Sequence, residues 1–228
     1  MKWVRRIGIA VLVMVLSVGL FCAWSFDDCF FFYRFLREPA QTGSVFPTSD
    51  RVAQELIEPL LHTSSPRRIL EVGAGTGPVT DAIVAVIAPE DHVDVLEIDP
   101  QLCALLKDRF ADHPEQVNVH CVAAQEWRAS MPYDVIITTV PFNNLSPALV
   151  DEILTSLEQA IKPGGVISYI EYIGGRQLKR LTSFGKHAKE VQARAEILEN
   201  FQDRYNMQRV WLLANLPPTY VYHLTSMP

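Results

Sequence analysis

Positive charge is scarce in this chain. Twenty lysines and arginines face 26 aspartates and glutamates, a formal net charge of −6. A protein that grips nucleic acid mainly through phosphates is usually basic, so this balance speaks against an RNA partner. Cysteine is sparse too. The four are Cys22, Cys29, Cys103 and Cys121, and neither they nor the six histidines fall at metal-ligand spacing. Cys22 sits in an apolar run. Cys103 and Cys121 fall in an expected helix and an expected strand, where buried free thiols are the ordinary outcome. The sequence has no internal repeat and no low-complexity linker. Apolar residues are plentiful, at 49% of 228 residues. That is enough for the core of one ordinary domain and too much for extensive disorder.

Glycine is also infrequent, with 11 in all, yet three fall within five residues. Arg67 to Val72 reads as a strand, and Gly73-Ala74-Gly75-Thr76-Gly77 follows at once. A helical run begins near Val79, and a second strand, Val93 to Ile98, carries Glu97 at its end. A strand, a Gly-rich turn, a helix and a second strand ending in a carboxylate hold a nucleotide-like ligand at the carboxyl edge of a parallel sheet. A carboxylate there can accept hydrogen bonds from two ribose hydroxyls. The G-x-G-x-x-G spacing of a dinucleotide fold is missing. The glycines run G-x-G-x-G, and Glu71 stands two residues before the first. An NAD-type site and a Gly-rich turn without ligand are the competing readings of these residues.

The two segments ILEVGAGTG and VLEIDP resemble the cofactor motifs of class I S-adenosylmethionine-dependent methyltransferases. The resemblance implies that Glu71 and the 73–77 loop (Gly73, Ala74, Gly75, Thr76, Gly77) line the methionine part of the cofactor. It implies that Glu97 binds the ribose and that Ile98, Ala123, Ala124, Thr139 and Pro141 complete the cofactor site. Three further segments resemble the bacterial phospholipid N-methyltransferases that act on phosphatidylethanolamine. They are Phe35 to Ser49, Val140 to Leu145, and Val210-Trp211 together with Asn215 to Tyr222. These are more specific than the widely shared cofactor motifs.

The chain departs from related patterns at two places. Family members usually carry Gly-Asp-Ala after strand three, where the Asp can receive the adenine amino group. Here the segment is Val122-Ala123-Ala124-Gln125, so backbone groups or Gln125 would have to accept that bond. N6-adenine methyltransferases carry Asn-x-Pro-Tyr or Phe after strand four, and here Thr139 replaces the Asn in Thr139-Val140-Pro141-Phe142. That lowers the nucleic-acid reading and suits an aliphatic amine, although rRNA adenine dimethyltransferases share the architecture.

From Arg67 onward strands and helices alternate. Strands are expected at 68–72, 93–98, 117–122, 134–139 and 166–172, and helices at 79–88, 101–110 and 146–161. Lys162 to Gly165 reads as a turn, and Trp127 as part of a short helix or loop. A helix near 186–203 then precedes strands near 207–214 and 219–224. Such repeats specify an α/β fold with a mostly parallel sheet covered on both faces. Seven strands with an antiparallel last strand is the Rossmann-like class I methyltransferase plan. Thr48 or Ser49 can cap a helix running to about Leu61.

The N-terminus has a different character. Ile7 to Phe26 contains no charged residue up to Phe26, close to the roughly 20 residues needed to cross a bilayer core. A membrane anchor is the favoured reading. A signal peptide cleaved near Ala23-Trp24-Ser25 and an over-extended start preceding Met14 are the others. The divisions expected are a hydrophobic segment at 1–26, a helical segment at 27–66 and the catalytic domain at 67–228. Phe30 to Arg37 reads as an aromatic, basic helix suited either to a membrane interface or to the core. The basic residues at both ends of the run give only a slight positive-inside bias. The cofactor is cytoplasmic, so the catalytic domain is expected on the cytoplasmic side of a membrane.

For the acceptor side, Asn143, Glu171 and Tyr172 are the candidate catalytic residues, since all three belong near the carboxyl edge. Tyr33 and Tyr172 could favour cationic products by cation–π contact, with aromatic packing as the plainer role. Arg176, Lys179, Arg180, Lys186, Lys189 and Arg194 form a basic stretch whose default reading is a solvated helix face. The alternative is attraction to anionic lipid. The partner implied is a membrane phospholipid. Direct methyl displacement needs no metal, and the sequence does not give an oligomeric state.

Overall fold

β-Branched and aliphatic runs bounded by Gly, Pro and Asp fix the strands, and each strand alternates its side chains between two helical layers. A computed structural model describes residues 48–173, 186–213 and 218–227. The hydrophobic segment expected at the N-terminus, Tyr33 and the aromatic helix at 30–37 lie outside these residues, as do Arg176, Lys179, Arg180 and the side chain of Lys186. No helix among the described residues is long and apolar enough to cross a membrane.

The described chain starts with α1 (Asp50–Leu56), capped by the Ser49 hydroxyl on the Val52 amide at 3.5 Å. The expected helix to Leu61 stops early. Pro59 cannot donate and crowds the preceding turn, so residues Glu58–Leu61 tighten into a 3₁₀ turn. Next come β1 (Arg68–Val72), α2 (Pro78–Val84), β2 (His92–Leu96), α3 (Pro100–Arg109), β3 (Val117–His120) and β4 (Tyr133–Thr138). The chain continues through α4 (Pro147–Ala160), β5 (Ile161–Tyr172), α5 (Lys186–Gln202), β6 (Tyr205–Leu212) and β7 (Thr219–Ser226). Short 3₁₀ turns occupy Ala124–Glu126 and Phe142–Asn144.

The sheet order is β3-β2-β1-β4-β5-β7-β6. Strands β1 to β5 pair in parallel, and β7 runs antiparallel to both β5 and β6. This is the expected Rossmann-like α/β sheet with its antiparallel last strand. Two cores follow from strand alternation. On one face Ile69, Val93, Val95, Val135 and Ile137 meet Val52, Leu56, Val79, Ile83 and Leu106 of α1, α2 and α3. On the other, Leu70, Val72, Ile136, Ile167 and Tyr169 meet Val150, Ile153, Leu157, Leu198 and Phe201 of α4 and α5.

The expected turn at Lys162 to Gly165 lies inside β5 as an irregularity in the strand. Tyr133 pairs with Ile161 and Val135 with Val166, so β5 advances five residues while β4 advances two. Gly164 takes φ +76°, and a Cβ at Gly165 would lie 2.9 Å from the Asp134 carbonyl oxygen. Proline and two glycines looked like a break, but here they let the strand bulge and resume.

Two expectations for single residues are corrected. Cys103 and Cys121 form a disulfide between α3 and the end of β3, with Cα atoms 5.7 Å apart. Arg194 belongs to no solvated face. It is 6% exposed and donates to the Leu145 carbonyl at 2.9 Å, tying α5 to the loop after β4. Burial pulls its pKa down, against the charge of Glu190.

Candidate active site

The carboxyl ends of β1, β2 and β4 converge on the glycine loop. Gly73 follows β1 at φ +79°, and a Cβ there would sit 3.2 Å from Val140 Cγ2. Gly77, at φ +96°, would push a Cβ to 3.0 Å from Leu106 and 3.1 Å from Phe110. Both the left-handed backbone and the close packing require glycine at these positions. The loop is tethered on three sides. Gly75 N donates to Glu97 Oε2 at 2.8 Å, the Thr139 hydroxyl donates to the Gly73 carbonyl at 2.6 Å, and Arg109 donates to the Thr76 carbonyl at 2.8 Å.

Two carboxyl groups stand beside the loop. Glu97 is 6% exposed and also accepts from Asp99 N at 2.9 Å through Oε1. Beside the amides of Gly75, Asp99 and Ile98, its oxygens keep lone-pair capacity for a further donor. Burial pushes its pKa up, against the lowering effect of the Asp99 and Gly75 amides. Glu71 is fully buried, and the Thr80 hydroxyl donates to its Oε2 at 2.6 Å. Its Oε1 is buried without a hydrogen-bond partner. Burial raises its pKa to about 8; the Thr80 bond opposes this, and the charges of Glu97 and Asp81 add to it.

Beyond Glu97, Ile98 is 68% exposed, an apolar side chain held out beside the carboxylate. Ala123 is buried and precedes the 3₁₀ turn Ala124–Glu126. The Ala123 carbonyl accepts from Glu126 N at 3.0 Å, and that of Ala124 accepts from the Ser156 hydroxyl at 2.9 Å. Pro141 leads into the turn Phe142–Asn144 that carries half-buried Asn143.

The acceptor candidates do not all share one side of the sheet. Glu171 alternates with Tyr169 and pairs with Tyr220, on the α4–α5 face where Phe142 also packs against Tyr169. Tyr172 points to the opposite face, level with Thr219. Asn143 and Glu171 are thus grouped, and Tyr172 is separated from them by strand alternation. Thr80 and Arg109 were not foreseen, and Arg194 was expected only on a solvated face. Thr80 lies in the first turn of α2, where a polar residue facing the strand was the available signal. The two arginines act across the fold and leave no local signature.

The residues suit an S-adenosylmethionine cofactor. The buried, unpartnered Glu71 oxygen and the spare Glu97 lone pairs call for a ligand with donors, and a cationic one fits two carboxyls. The exposed Ile98 offers an apolar face to a base. Among the described residues, no group of three or more His, Cys, Asp or Glu could hold a metal ion.

Comparison with known proteins agrees. A family model described as a methyltransferase domain matches residues 69–165. The chain is an S-adenosylmethionine-dependent methyltransferase of class I. It is 25% identical over 152 residues to an ornithine lipid N-methyltransferase of Singulisphaera acidiphila, a match covering 63% of this chain and 77% of that protein. It is 34% identical over 99 residues to ribosomal RNA small subunit methyltransferase A of a Synechococcus species, covering 42% of this chain and 33% of that protein. In fold it is similar to the N-methyltransferase NodS of Bradyrhizobium japonicum bound to S-adenosylhomocysteine. The TM-score is 0.62 at 12% identity, over 79% of this chain and 88% of that one.

Proposed function

We propose that this methyltransferase N-methylates the amine of a lipid head group, with the ethanolamine of phosphatidylethanolamine as first acceptor, towards phosphatidylcholine. One observation carries the reading. The similarity to the ornithine lipid N-methyltransferase runs over 152 residues, beyond the 69–165 stretch of the cofactor domain. Residue segments 35–49, 140–145 and 210–211 with 215–222 support it independently by their resemblance to phospholipid N-methyltransferases. An ornithine lipid is the neighbouring acceptor, since it too would present an amine on a lipid.

The bound cofactor supplies an electrophilic sulfonium methyl group. The amine nitrogen would attack with its lone pair, N–C forming as S–C breaks and S-adenosylhomocysteine leaves, and the methylated ammonium would then give its proton to water. The amine must therefore be neutral, although a free alkyl ammonium titrates near 10, about the lysine reference. Removing it from water lowers that value by disfavouring the cation. Glu71, the 73–77 loop, Glu97 and Ile98 would hold the cofactor, with Ala123, Ala124, Thr139 and Pro141 closing its site. Asn143 and Glu171 would face the amine, while Tyr172, on the other face of β5, would act only from the opposite side of the sheet edge. Alignment of two bound reactants would supply much of the catalysis.

The hydrophobic run 7–26 would keep the catalytic domain, 67–228, at the membrane on its cytoplasmic side, with 27–66 as the connecting helical segment. The second reading is a class I methyltransferase of another substrate, such as an rRNA adenine or a small molecule. The 34% identity to the ribosomal RNA enzyme favours it, though over only 33% of that protein. Expression in a host without methylated lipids separates the two. N-methyl lipids that appear with the parent chain and vanish with Glu97→Ala support the proposal. An unchanged lipid profile with soluble, cofactor-binding protein would sink it.

A further inference from the structure

The aromatic rings of β5, β7 and β6 form an unbroken series. Phe142, beside Asn143, meets Tyr169 edge-on at 6.0 Å, and Tyr169 stacks on Tyr222 at 4.9 Å. Tyr222 meets Tyr220 at 6.0 Å, and Tyr220 meets Trp211 at 4.8 Å. The series begins in the core and ends in solvent: Tyr169 is 3% exposed and Trp211 is 53% exposed. Met207, Arg209 and Trp211 alternate along β6 on one face, and exposed Leu213 follows directly after the strand. Met207 and Leu213 are 49% and 64% exposed. The Arg209 guanidinium lies 5.4 Å from the Trp211 ring centre and 5.1 Å from that of Tyr220. Among the described residues no carboxylate pairs with Arg209.

Register shows which edge of the sheet this is. Trp211 pairs with Tyr220, which pairs with Glu171, and Leu212 is level with Tyr172 through Thr219. Val72 is likewise level with Thr138, and Thr138 with Tyr169. The exposed row therefore ends at the carboxyl edge, on the rim strand, two strands from β5 and its Glu171 and on the same edge as the cofactor loops.

We propose that Met207, Arg209, Trp211 and Leu213 form a lipid-surface contact that seats this edge of the sheet on the bilayer carrying the acceptor. The inference rests on the lipid N-methyltransferase reading and adds the surface by which the acceptor's membrane is engaged. The chemistry fits a head-group layer. Tryptophan and tyrosine rings settle between head groups and acyl chains, the aliphatic side chains enter the acyl boundary, and a guanidinium pairs with phosphate. Charge argues against a second copy as the occupant. The row contains a cation and no acid, so β6 paired with itself would gain no complementary charge.

The test gives the full chain one acceptor in two forms. Phosphatidylethanolamine is offered in vesicles containing phosphatidylglycerol, and separately as a short-chain homologue below its critical micelle concentration. The variant combines Arg209→Glu, Trp211→Ser and Leu213→Ser. Its half-saturating vesicle concentration is expected to rise roughly tenfold, from lost apolar contact and a reversed charge. Its rate on the monomeric homologue and its cofactor affinity should stay within about twofold, as for changes at exposed sites. Equal losses on both forms, or no loss on vesicles, overturn the proposal. Should the triple variant fail to bind cofactor, Arg209→Glu alone carries the same comparison. Quenching of Trp211 fluorescence by brominated phospholipid, without cofactor, reads the contact apart from activity and from the 7–26 segment, and quenching no greater than in a Trp211→Ser chain overturns it. So does a shift from dimer to monomer on sedimentation, which would assign the row to a second copy. Trp211 quenching by the lipid, with no lipid methylation by the parent, supports the contact and removes only the acceptor assignment.

Discussion

The Thr139 hydroxyl donates to the Gly73 carbonyl across 2.6 Å, so the end of β4 and the glycine loop are held as one body. Thr139→Val keeps the shape and deletes the donor. A net hydrogen bond is worth about 1 kcal/mol, so the dissociation constant for S-adenosylmethionine should rise roughly fivefold. Calorimetric titration checks this, and an unchanged constant would show that the tether does not shape the cofactor site.

Glu71 gives the fold a pH dependence of unusual sign. Its pKa rises on folding from 4.5 to about 8, chiefly through burial. The folded state therefore binds the extra proton, and stability is full below pH 4.5 and lost as pH rises through about 8. The loss should reach on the order of 3–5 kcal/mol in the cofactor-free protein. Thermal melts of Glu71→Gln should match the parent near pH 4 and exceed it above pH 8. A cationic cofactor would favour the Glu71 carboxylate, so binding at neutral pH should release a proton. Binding heats that do not vary with buffer ionisation enthalpy would contradict that role.

Asp91 behaves in the opposite way. Burial pushes its carboxyl up, but the Arg67 guanidinium and the amides of Ala88 and Arg67 outweigh this and hold it near 2. Arg67 also donates to the Leu60 carbonyl, clamping the 3₁₀ turn after α1 to the start of β1. The pair's pH-dependent stability is present above pH 3.8 and disappears as pH falls through about 2, some 2 kcal/mol in all. Arg67→Met leaves the buried carboxylate uncompensated and should cost about 3–5 kcal/mol at neutral pH, measured by urea unfolding.

The Cys103–Cys121 bridge joins α3 to the end of β3 across 18 residues of chain. A loop of this size corresponds to about 3 kcal/mol, so reduction should lower the melting temperature by several degrees. A cytoplasmic face would keep the thiols reduced. Non-reducing peptide mapping of protein taken from membranes tests both: a bridged Cys103–Cys121 peptide is the result the geometry predicts and would count against the cytoplasmic placement, while two free thiols would contradict the bridge.

The cofactor half of the site was legible because it is local. Glu71, the glycines and Glu97 lie within 30 residues, and one strand–turn–helix–strand unit fixes their geometry. The alternation of elements likewise gave the two-sided sheet and its antiparallel last strand. Contacts between distant segments were not legible. Nothing near Arg194 points to Leu145, 49 residues away, and an 18-residue separation does not pair two cysteines. Lys162-Pro163-Gly164-Gly165 carries turn chemistry, yet Ile161 and Val166 on either side both pair with β4, which makes it a bulge within one strand. Glu171 and Tyr172, read together as acceptor residues, are parted by the two-residue period of β5.

The most direct measurement follows a methyl label from S-adenosylmethionine into phosphatidylethanolamine vesicles incubated with the purified full chain. Label in monomethyl, dimethyl or choline lipids, absent with Glu97→Ala, is the result expected of a lipid N-methyltransferase. Cofactor binding with no label in any lipid, and label instead in RNA or a soluble amine, would contradict it.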